Sequence, residues 1–302
     1  MRDKVTVIGS LNYDIILKIS RLPEKGETLP AEDAAFSSGG KGANQAVQVA
    51  KLGVPTYMVG CVGNDANGQV LIDTVSGYGV HTEFIKKVEG PSGMGVVNAM
   101  EDGSVFATIV RGANFQISKS QIDEIESLLQ ETKILILQME IPQEINQYAI
   151  DKAKEAGCIV LMNAAPAEQI SEEYLKKIDI LVVNEVEAAF YLEEEMNSIE
   201  KAMEGAGKLC ERYGNSCVIT LGKEGAVVCD GEKTSFIPSK KVPAVESTGA
   251  GDSFIGGMSY ALVQKMGLRE ACEFATRCSA VTVCRYGAQP SMPVLEEVYQ
   301  EK

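Results

Sequence analysis

The chain has 302 residues, of which 45% are hydrophobic and 23% charged, and its formal net charge is −14. This length and composition are typical of a globular protein that buries a sizeable core in one large or two ordinary domains. The negative charge argues against a nucleic-acid partner, because a phosphate backbone repels such a surface, but a local positive field could still bind an anionic nucleotide.

The start of the chain and its cysteines indicate a cellular location. An apolar segment, residues 5–10, comes at once and predicts a strand, with no basic-then-apolar leader before it. No apolar run has the length that a bilayer span needs, so we expect a cytoplasmic protein without membrane contact. Eight cysteines are scattered without a Cys-x-x-Cys pair, and we expect them reduced and mostly buried rather than bound in disulfides or to metal. His81 is the only histidine, which argues against histidine triads and zinc sites.

Two segments of the first half are strand-like without an intervening helix. They are residues 15–36 and residues 94–110, and the second contains Asp102-Gly103, a dipeptide that favours a β-hairpin turn. We predict that the two segments form a small sheet of their own. The alternative is an edge hairpin of the main sheet.

From about Thr132 onward, short apolar runs alternate with helix-like stretches. The predicted strands are 133–138, 158–162, 180–183, 217–221 and 226–229, and the predicted helices are 142–156, 186–195 and 198–213. This alternation is typical of a parallel sheet with helices on both faces, in which ligands bind beyond the carboxyl ends of the strands. Asn12, Glu140, Asn184 and Thr220 come at or just after such ends, which predicts one shared cleft.

Gly249-Ala250-Gly251 precedes Asp252 and an apolar, helix-like stretch. Small side chains let backbone N–H groups approach an anion, and a helix start favours negative charge. An anion cradle that contains a carboxylate suits phosphoryl transfer, with Asp252 taking the proton of the attacking hydroxyl. The N–H groups of Ala250 and Gly251 would stabilise charge on the transferring group. The alternative is an aspartate that only stabilises the helix start.

A second polar group could recognise a sugar. A selective sugar site needs fixed donors and acceptors, because an analogue that lacks one hydroxyl then leaves a buried group unpaired. Asn12, Asp14, Lys41, Asn44 and Glu140 supply such groups. The alternatives are turn chemistry for the first two and a solvated helix start for Lys41 and Asn44.

Four segments together resemble the ribokinase-like (PfkB) carbohydrate kinase family over nearly the whole chain: residues 5–14, 39–45, 246–254 and 287–291. The resemblance implies a three-layer α/β fold with a mostly parallel central sheet between helices, in a single domain over residues 1–302. It also implies a small β lid, from about 12–36 and 94–110, that covers the sugar. The implied reaction is ATP-dependent phosphorylation of the terminal hydroxyl of D-ribose to D-ribose 5-phosphate, with Mg²⁺ and K⁺ as cofactors. A homodimer built through the lids is implied as well.

The resemblance also implies a role for individual residues. Sugar contacts are implied for Asn12, Asp14, Gly40, Lys41, Gly42, Asn44, Glu140 and the catalytic base Asp252. Nucleotide contacts are implied for Asn184, Thr220, Gly222, Gly225, Gly249, Ala250, Gly251 and Thr276, and Glu187 would hold Mg²⁺ through water. The K⁺ site would involve Glu246, Thr248, Thr282, Arg285, Gly287 and Ser291. By itself, 220–225 is equally a hairpin turn, and 184–187 is a helix N-cap with an acidic first turn, which is compatible with the family role.

One departure and two rival functions stay open. The family usually has aspartate where this chain has Glu246, so the K⁺ site is retained, altered or missing. Neither a P-loop nor a Gly-x-Gly-x-x-Gly fingerprint occurs. The rivals are a kinase of the same family for deoxyribose, a nucleoside or another sugar, and a non-catalytic sugar- or nucleotide-binding regulator. Asn12 favours ribose over deoxyribose, since it adds a polar partner near the ring hydroxyls.

Overall fold

The computed structural model describes residues 2–100 and 105–300. The strands are β1 (Lys4–Ile8), β2 (Asn12–Ile19), β3 (Asp33–Gly39), β4 (Thr56–Gly63), β5 (His81–Val88), β6 (Gly93–Met100), β7 (Val105–Val110), β8 (Thr132–Gln138), β9 (Ile159–Asn163), β10 (Ile180–Asn184), β11 (Ser216–Thr220), β12 (Gly225–Cys229) and β13 (Thr234–Pro238). The helices are α1 (Lys41–Lys51), α2 (Ala66–Gly77), α3 (Lys119–Asp123), α4 (Glu126–Glu131), α5 (Gln143–Ala156), α6 (Glu172–Leu175), α7 (Glu185–Leu192), α8 (Ile199–Tyr213), α9 (Ala250–Val263), α10 (Leu268–Thr282) and α11 (Leu295–Tyr299).

The main sheet has nine strands in the order β13-β12-β11-β10-β9-β8-β1-β4-β5. The strands from β11 to β5 in this order pair in parallel, and at the other edge β12 pairs antiparallel with both β11 and β13. In β8 the successive side chains of Ile134, Leu135, Ile136 and Leu137 are all fully buried. Such a continuous apolar run is required where helices cover both faces of a strand. The predicted parallel sheet is therefore confirmed.

Helices cover the two faces of this sheet and form two hydrophobic cores. Helices α1, α2, α9, α10 and α11 pack on one face, and α3, α4, α5, α7 and α8 pack on the other. Helix α8 shows why: Ala202, Ala206, Leu209 and Tyr213 repeat at helical spacing and are buried. The result is the predicted three-layer α/β arrangement.

A second sheet of four strands, in the order β3-β2-β6-β7, stands apart from the main sheet. Strand β2 pairs antiparallel with β3 and parallel with β6, and β7 pairs antiparallel with β6. The prediction of a separate small sheet is confirmed, and the edge-hairpin alternative is wrong. Residues 15–36 are not one strand, because 20–32 contain none and β3 continues to Gly39. The predicted turn at residues 101–104 lies outside the described residues.

The connection from β1 to β2 brings the four-stranded sheet over the carboxyl ends of the parallel strands. Asn12, the first residue of β2, follows β1 after only three residues, so the two sheets meet at one cleft. All eight cysteines are unpaired, and seven of them are buried. Within residues 2–100 and 105–300, no helix is long and apolar enough to cross a membrane.

Candidate active site

A buried carboxylate lies where two helices begin. Asp252 is in the first turn of α9. The helix begins directly after Gly249, whose φ of 76° suits glycine. Its side chain accepts hydrogen bonds from the Nδ2 group of Asn44 and the Nε2 group of Gln45, each at 2.9 Å. Both donors lie on α1, so the starts of α1 and α9 face each other. The structure thus brings together the two segments of the chain that were most informative in the sequence.

The electrostatic setting of Asp252 suits a group that accepts a proton. Burial raises its pKa and outweighs the ammonium of Lys41 and the two amide donors, which lower it. Burial would lower the pKa of Lys41, but the carboxylates of Asp252, Glu140 and Glu187 outweigh it and raise that pKa. Lys41 therefore stays protonated and places one ammonium among three carboxylates at the start of α1.

Behind Asp252 lies a network of side-chain amides that sequence reasoning did not assign. Gln45 Nε2 also donates to Asn163 Oδ1 at 3.0 Å, and its Oε1 accepts from Gln138 Nε2 at 2.8 Å. Gln289 Nε2 donates to Asn44 Oδ1 at 3.0 Å. Two of these glutamines stand in segments that resemble the family, but an amide type alone carries no signal of its role. The network fixes which atom of each amide faces the carboxylate.

Glu140 connects the end of β8 to the start of α1. Its Oε2 atom accepts from Ser10 Oγ at 2.5 Å and from the Lys41 backbone N–H at 3.1 Å. The Gly42 N–H in turn donates to Ser10 Oγ at 3.3 Å. Gly40 precedes the helix with a φ of 89°, which turns the chain into α1. Glu140 therefore stabilises the start of α1, and its sugar contact stays a prediction.

Asp14 points its carboxylate between two glycines of neighbouring strands. A Cβ atom at Gly39 would lie 2.1 Å from Asp14 Oδ2, and one at Gly95 would lie 2.4 Å from Oδ1. Burial and the nearby charge of Glu140 raise the pKa of Asp14 to about 6, although a hydrogen bond from the Gly95 amide opposes them. The turn-chemistry alternative for Asp14 is wrong, since this residue lies within β2 and faces the cleft.

The sequence did not reveal the residue that holds Asn12. Asn114, in a short 3₁₀ helix over Gly112–Gln116, donates from Nδ2 to Asn12 Oδ1 at 2.7 Å. Its own Oδ1 accepts from the Leu11 backbone N–H at 2.9 Å. Both asparagines are buried. The link joins positions about a hundred residues apart, and no local pattern announces it.

On the other side of Asp252, a cavity of about 610 Å³ opens. Its lining includes six of the predicted nucleotide-contacting residues: Thr220, Gly222, Gly225, Ala250, Gly251 and Thr276. Gly225 has a φ of 125°, and a Cβ atom there would lie 2.0 Å from the Ile237 carbonyl oxygen, so the hairpin requires glycine. At Gly251 a Cβ atom would meet nothing within 4 Å. The hairpin-turn alternative for 220–225 and the cavity are therefore compatible.

The backbone donors at the start of α9 are distributed differently from the sequence prediction. The Ala250 N–H already donates to the Ser247 carbonyl at 3.2 Å. The N–H groups of Gly251 and Asp252 donate to no acceptor among the residues that the structure describes. These two N–H groups are the ones available to an anion in the cavity.

Asn184 and Glu187 form a capping box at the start of α7. Asn184 Oδ1 accepts from the N–H groups of Val186 and Glu187, and Glu187 Oε2 accepts from the Asn184 N–H at 2.7 Å. Burial raises the pKa of Glu187, although the Asn184 hydrogen bonds and the Lys41 charge oppose this. The helix-cap alternative is correct, and it leaves Glu187 close enough to influence Lys41.

The structure brings only part of the predicted ion site together. Glu246 Oε2 accepts from the Gly287 N–H at 2.8 Å, and Ser291 Oγ donates to the Ala288 carbonyl at 2.7 Å. Thr282 is buried against Ser253, Arg285 pairs with Glu297 at 2.6 Å, and Thr248 is exposed. Over residues 2–100 and 105–300, no three His, Cys, Asp or Glu side chains form a group that could hold a metal ion.

The cleft lies beyond the ends of parallel strands and combines a buried carboxylate, polar side chains suited to a sugar, and free helix N–H groups suited to a phosphate. This combination is typical of a small-molecule kinase. Comparisons with known proteins agree. The model of the pfkB family carbohydrate kinases matches residues 2–295. The chain therefore belongs to the pfkB carbohydrate kinase family.

Individual relatives are similar over their full length. Ribokinase of Schizosaccharomyces pombe is 37% identical and aligns over 97% of this chain and 96% of its own. The solved structure of Arabidopsis thaliana ribokinase complexed with ribose and ATP superposes with a TM-score of 0.91, at 33% identity and 100% coverage of both chains. Deoxyribokinase of Salmonella typhi is 33% identical over 97% of this chain and 96% of its own. The fold of the whole chain is shared with the Arabidopsis ribokinase structure.

Proposed function

We propose that this chain is an ATP-dependent kinase, acting as a single catalytic domain, that phosphorylates the terminal hydroxyl of D-ribose to give D-ribose 5-phosphate. The observation that carries the proposal is the position of Asp252. Its buried carboxylate accepts hydrogen bonds from Asn44 and Gln45 of α1, and the preceding residue, Gly251, lines the cavity with its free N–H. The full-length similarity to proteins named ribokinase supports ribose as the sugar.

The proposed step is an in-line transfer. Asp252 accepts the proton of the terminal hydroxyl as that oxygen forms a bond to the γ-phosphorus, and the bond from this phosphorus to the β–γ bridging oxygen breaks, which releases ADP. The N–H groups of Gly251 and Asp252 stabilise charge on the transferring group. Because the transition state of phosphoryl transfer is loose, positioning and electrostatics contribute more than the basicity of the carboxylate.

The sugar contacts follow from the direction of each polar group. Asn12 and Asp14 are two residues apart on β2, so their side chains project from the same face of the lid sheet. With Lys41, Asn44 and Glu140, and with the backbone at Gly40 and Gly42, they would surround the sugar hydroxyls. On the nucleotide side, Asn184, Thr220, Gly222, Gly225, Gly249, Ala250 and Thr276 would contact ATP.

The residues present fit the two cations that the proposal implies. The buried carboxylate of Glu187 is the kind of hard oxygen ligand that Mg²⁺ prefers, and it would hold that ion through water. Mg²⁺ would neutralise the charge on the nucleotide phosphates. For K⁺, Glu246 Oε2 accepts from the Gly287 N–H, and Oε1 has no hydrogen-bond partner among the described residues, so one carboxylate oxygen is available to an ion. The extra methylene of Glu246 is thus compatible with an ion site.

We further propose that the four-stranded sheet is a lid and a dimer interface. Phe36, Phe106, Ile109 and Val110 on its strands are 61%, 47%, 53% and 42% exposed. An exposed apolar group of this kind on a sheet marks an interaction surface.

A homodimer through the lids should appear by light scattering at micromolar concentration, and a Phe36→Ser, Ile109→Ser double variant should be monomeric. A monomeric parent protein would contradict the dimer, and identical lids in the apo and ribose-bound states would contradict closure.

The test of the function is turnover of a panel of substrates. Purified protein with ATP and Mg²⁺ should phosphorylate ribose with the highest kcat/KM among ribose, 2-deoxyribose, another pentose and a nucleoside. A preference for 2-deoxyribose would instead support the second candidate, which the similarity to a deoxyribokinase favours. Sugar binding without any turnover would support a binding regulator and would refute the kinase.

A further inference from the structure

The orientation of the Asn12 side chain is determined by a chain of hydrogen bonds that begins at a backbone amide. The Leu11 N–H can only donate, so the Asn114 atom 2.9 Å from it must be the carbonyl oxygen Oδ1. The other end of the Asn114 amide is then the donor Nδ2, which lies 2.7 Å from Asn12. The Asn12 atom that receives this bond must therefore be its carbonyl oxygen.

This leaves the donor end of Asn12 for the cleft. Its Nδ2 group donates to no acceptor among the described residues. Nδ2 is also not among the fully buried side-chain atoms that lack a partner, so a ligand can reach it. Asp14 lies two residues further on the same face of β2 and offers carboxylate oxygens, which only accept when ionised. The lid sheet therefore presents a donor and an acceptor side by side.

The packing around Asn114 keeps this orientation. Asn114 is 2% exposed and Asn12 is 5% exposed, so water does not replace their mutual hydrogen bond. A Cβ atom at Gly93 would lie 2.1 Å from Asn114 Nδ2 and 2.4 Å from Asn12 Oδ1, so glycine is needed for the two amides to meet. The N–H of Ala113 donates to the Pro91 carbonyl at 2.9 Å and holds the 3₁₀ helix in place.

We propose that Asn114 is a specificity-determining positioning residue, which fixes the Asn12 amide so that Nδ2 faces the sugar. Asn12 then donates to a sugar hydroxyl oxygen while Asp14 accepts a hydroxyl proton. A hydroxyl can satisfy both groups, whereas an analogue without it leaves a donor and an acceptor unpaired in a buried site. The inference rests on the proposed function and deepens it, since it says how the site recognises a hydroxylated sugar.

The decisive variant is Asn114→Asp. The new side chain still accepts from the Leu11 N–H, but in its ionised form it has only acceptors toward Asn12, so at a pH where it is ionised the Asn12 amide must rotate and present its oxygen to the sugar. We expect the Kd for ribose, measured by calorimetry without ATP, to rise about 10-fold or more. The KM for ATP should stay unchanged, and kcat at saturating ribose should fall less than about 3-fold. Asn12→Asp, which places an oxygen toward the cleft directly, should give the same shift.

Asn215→Asp is the matched control. Asn215 is also buried and also donates its Nδ2 to a protein oxygen, the Leu175 carbonyl at 2.9 Å, but it lies at the opposite end of the sheet. This variant should lose thermal stability and keep the parent Kd for ribose. If folded Asn114→Asp also keeps the parent Kd while Asn12→Asp raises it, Asn114 has only a structural role and the inference is overturned.

A measurement on the parent protein covers the case in which Asn114→Asp does not fold. The Asn12 side-chain amide resonance, assigned by its loss in Asn12→Asp, should shift when ribose is added to ¹⁵N-labelled protein. An unshifted resonance in ribose-saturated protein would overturn the inference. Failure of the proposed function looks different, because the parent would then not turn over ribose at all.

Discussion

The two halves of the cleft differ in the groups that they present to a ligand. On the sugar side, side chains hold other side chains: Asn114 positions Asn12, and two amides of α1 hold Asp252. On the nucleotide side, an open cavity is lined by the glycines Gly222, Gly225 and Gly251 together with small polar, apolar and lysine side chains, and Gly251, with its free N–H, is exposed.

The difference reflects what each half must recognise. An uncharged sugar offers only directional hydrogen bonds, which contribute about 0.5–1.5 kcal/mol each and depend on groups that are already oriented. A nucleotide carries phosphate charge, which free N–H groups at a helix start attract without such oriented side chains. Substitutions at packed positions of the sugar side should therefore disturb the fold and the sugar affinity, whereas a substitution at the open position Gly251 of the nucleotide side should leave the fold intact.

Asp252→Asn tests the residue between the two halves and should have the largest effect. We expect kcat to fall by about 10²–10⁴, because positioned proton transfer contributes a factor of this size. The variant should stay folded and bind ribose, since it keeps the size of the side chain and removes a buried charge. Steady-state kinetics, circular dichroism and ribose calorimetry measure the three quantities.

The matched control for Asp252→Asn is Asp179→Asn. Asp179 is also a hydrogen-bonded aspartate, paired with Lys154 at 2.7 Å and with the Val160 N–H, but it lies far from the cleft. This control should keep the parent kcat. A loss below about tenfold in Asp252→Asn would remove Asp252 from the role of base.

Gly42→Ala and Gly251→Ala make the same change at the second residue of α1 and of α9. At Gly42 the new Cβ atom would lie 2.6 Å from the Ser10 nitrogen and 2.8 Å from the Gly9 carbonyl carbon, so the backbone must shift. We expect a loss of about 1–3 kcal/mol in the free energy of unfolding. At Gly251 nothing lies within 4 Å, and the helix gains up to about 1 kcal/mol.

The affinities for ATP and for ribose should also distinguish Gly42→Ala from Gly251→Ala. Gly251→Ala should raise the KM for ATP and leave the Kd for ribose unchanged, because its methyl group occupies the space next to the free N–H groups. Thermal melts and the two affinities check both variants. Equal stability of the two variants would contradict the contrast between a packed sugar half and an open nucleotide half.

Asp14 makes the sugar half sensitive to pH. Its pKa in the folded protein is raised to about 6, so as the pH falls through 6 a neutral carboxyl, with an O–H donor and a weaker carbonyl acceptor, replaces the carboxylate. We expect the Kd for ribose to rise toward tenfold per pH unit below that value, and Asp14→Asn to abolish this dependence. Asp252 and Glu187 also have raised pKa values. The Asp14→Asn variant retains both groups, so any pH dependence of the Kd that they cause would persist in this variant.

The same raised pKa has a consequence for stability. A raised pKa of a carboxyl group means that ionisation opposes folding: the stabilisation by the protonated form is present below about pH 4 and is lost as the pH rises through 6. Asp14→Asn should therefore melt at a higher temperature than the parent at pH 7 and show no such gain at pH 4. A gain of the same size at both pH values would contradict the raised pKa.

The smallest expected effect concerns Glu246 on the nucleotide side. If its carboxylate holds a monovalent ion, K⁺ should raise kcat/KM a few-fold over a Na⁺ or Tris control, and Glu246→Asp should strengthen this activation. We favour a retained but weakened activation, because the charge and the bond to the Gly287 N–H are kept. Activity that is indifferent to K⁺ in both proteins would show that no functional ion site exists.

Local patterns in the chain predicted much of this architecture. The apolar runs of β8 to β12 predicted the sheet, because a strand buried on both faces must be continuously apolar. Glycines before Asp252 predicted the anion site, because only small residues allow the backbone to approach a ligand. The resemblance to a kinase family supplied the assignment of Asn12 and Asp14, which residue types alone left open against turn chemistry.

The tertiary structure decided how the amides are oriented. Asn114, Gln138, Asn163 and Gln289 belong to the site only because the fold brings them against Asn12, Gln45 and Asn44. Hydrophobic periodicity and glycine positions are local properties that a sequence displays directly. A hydrogen bond between buried amides depends instead on the distance and direction between positions remote in the chain, and no residue type predicts that geometry.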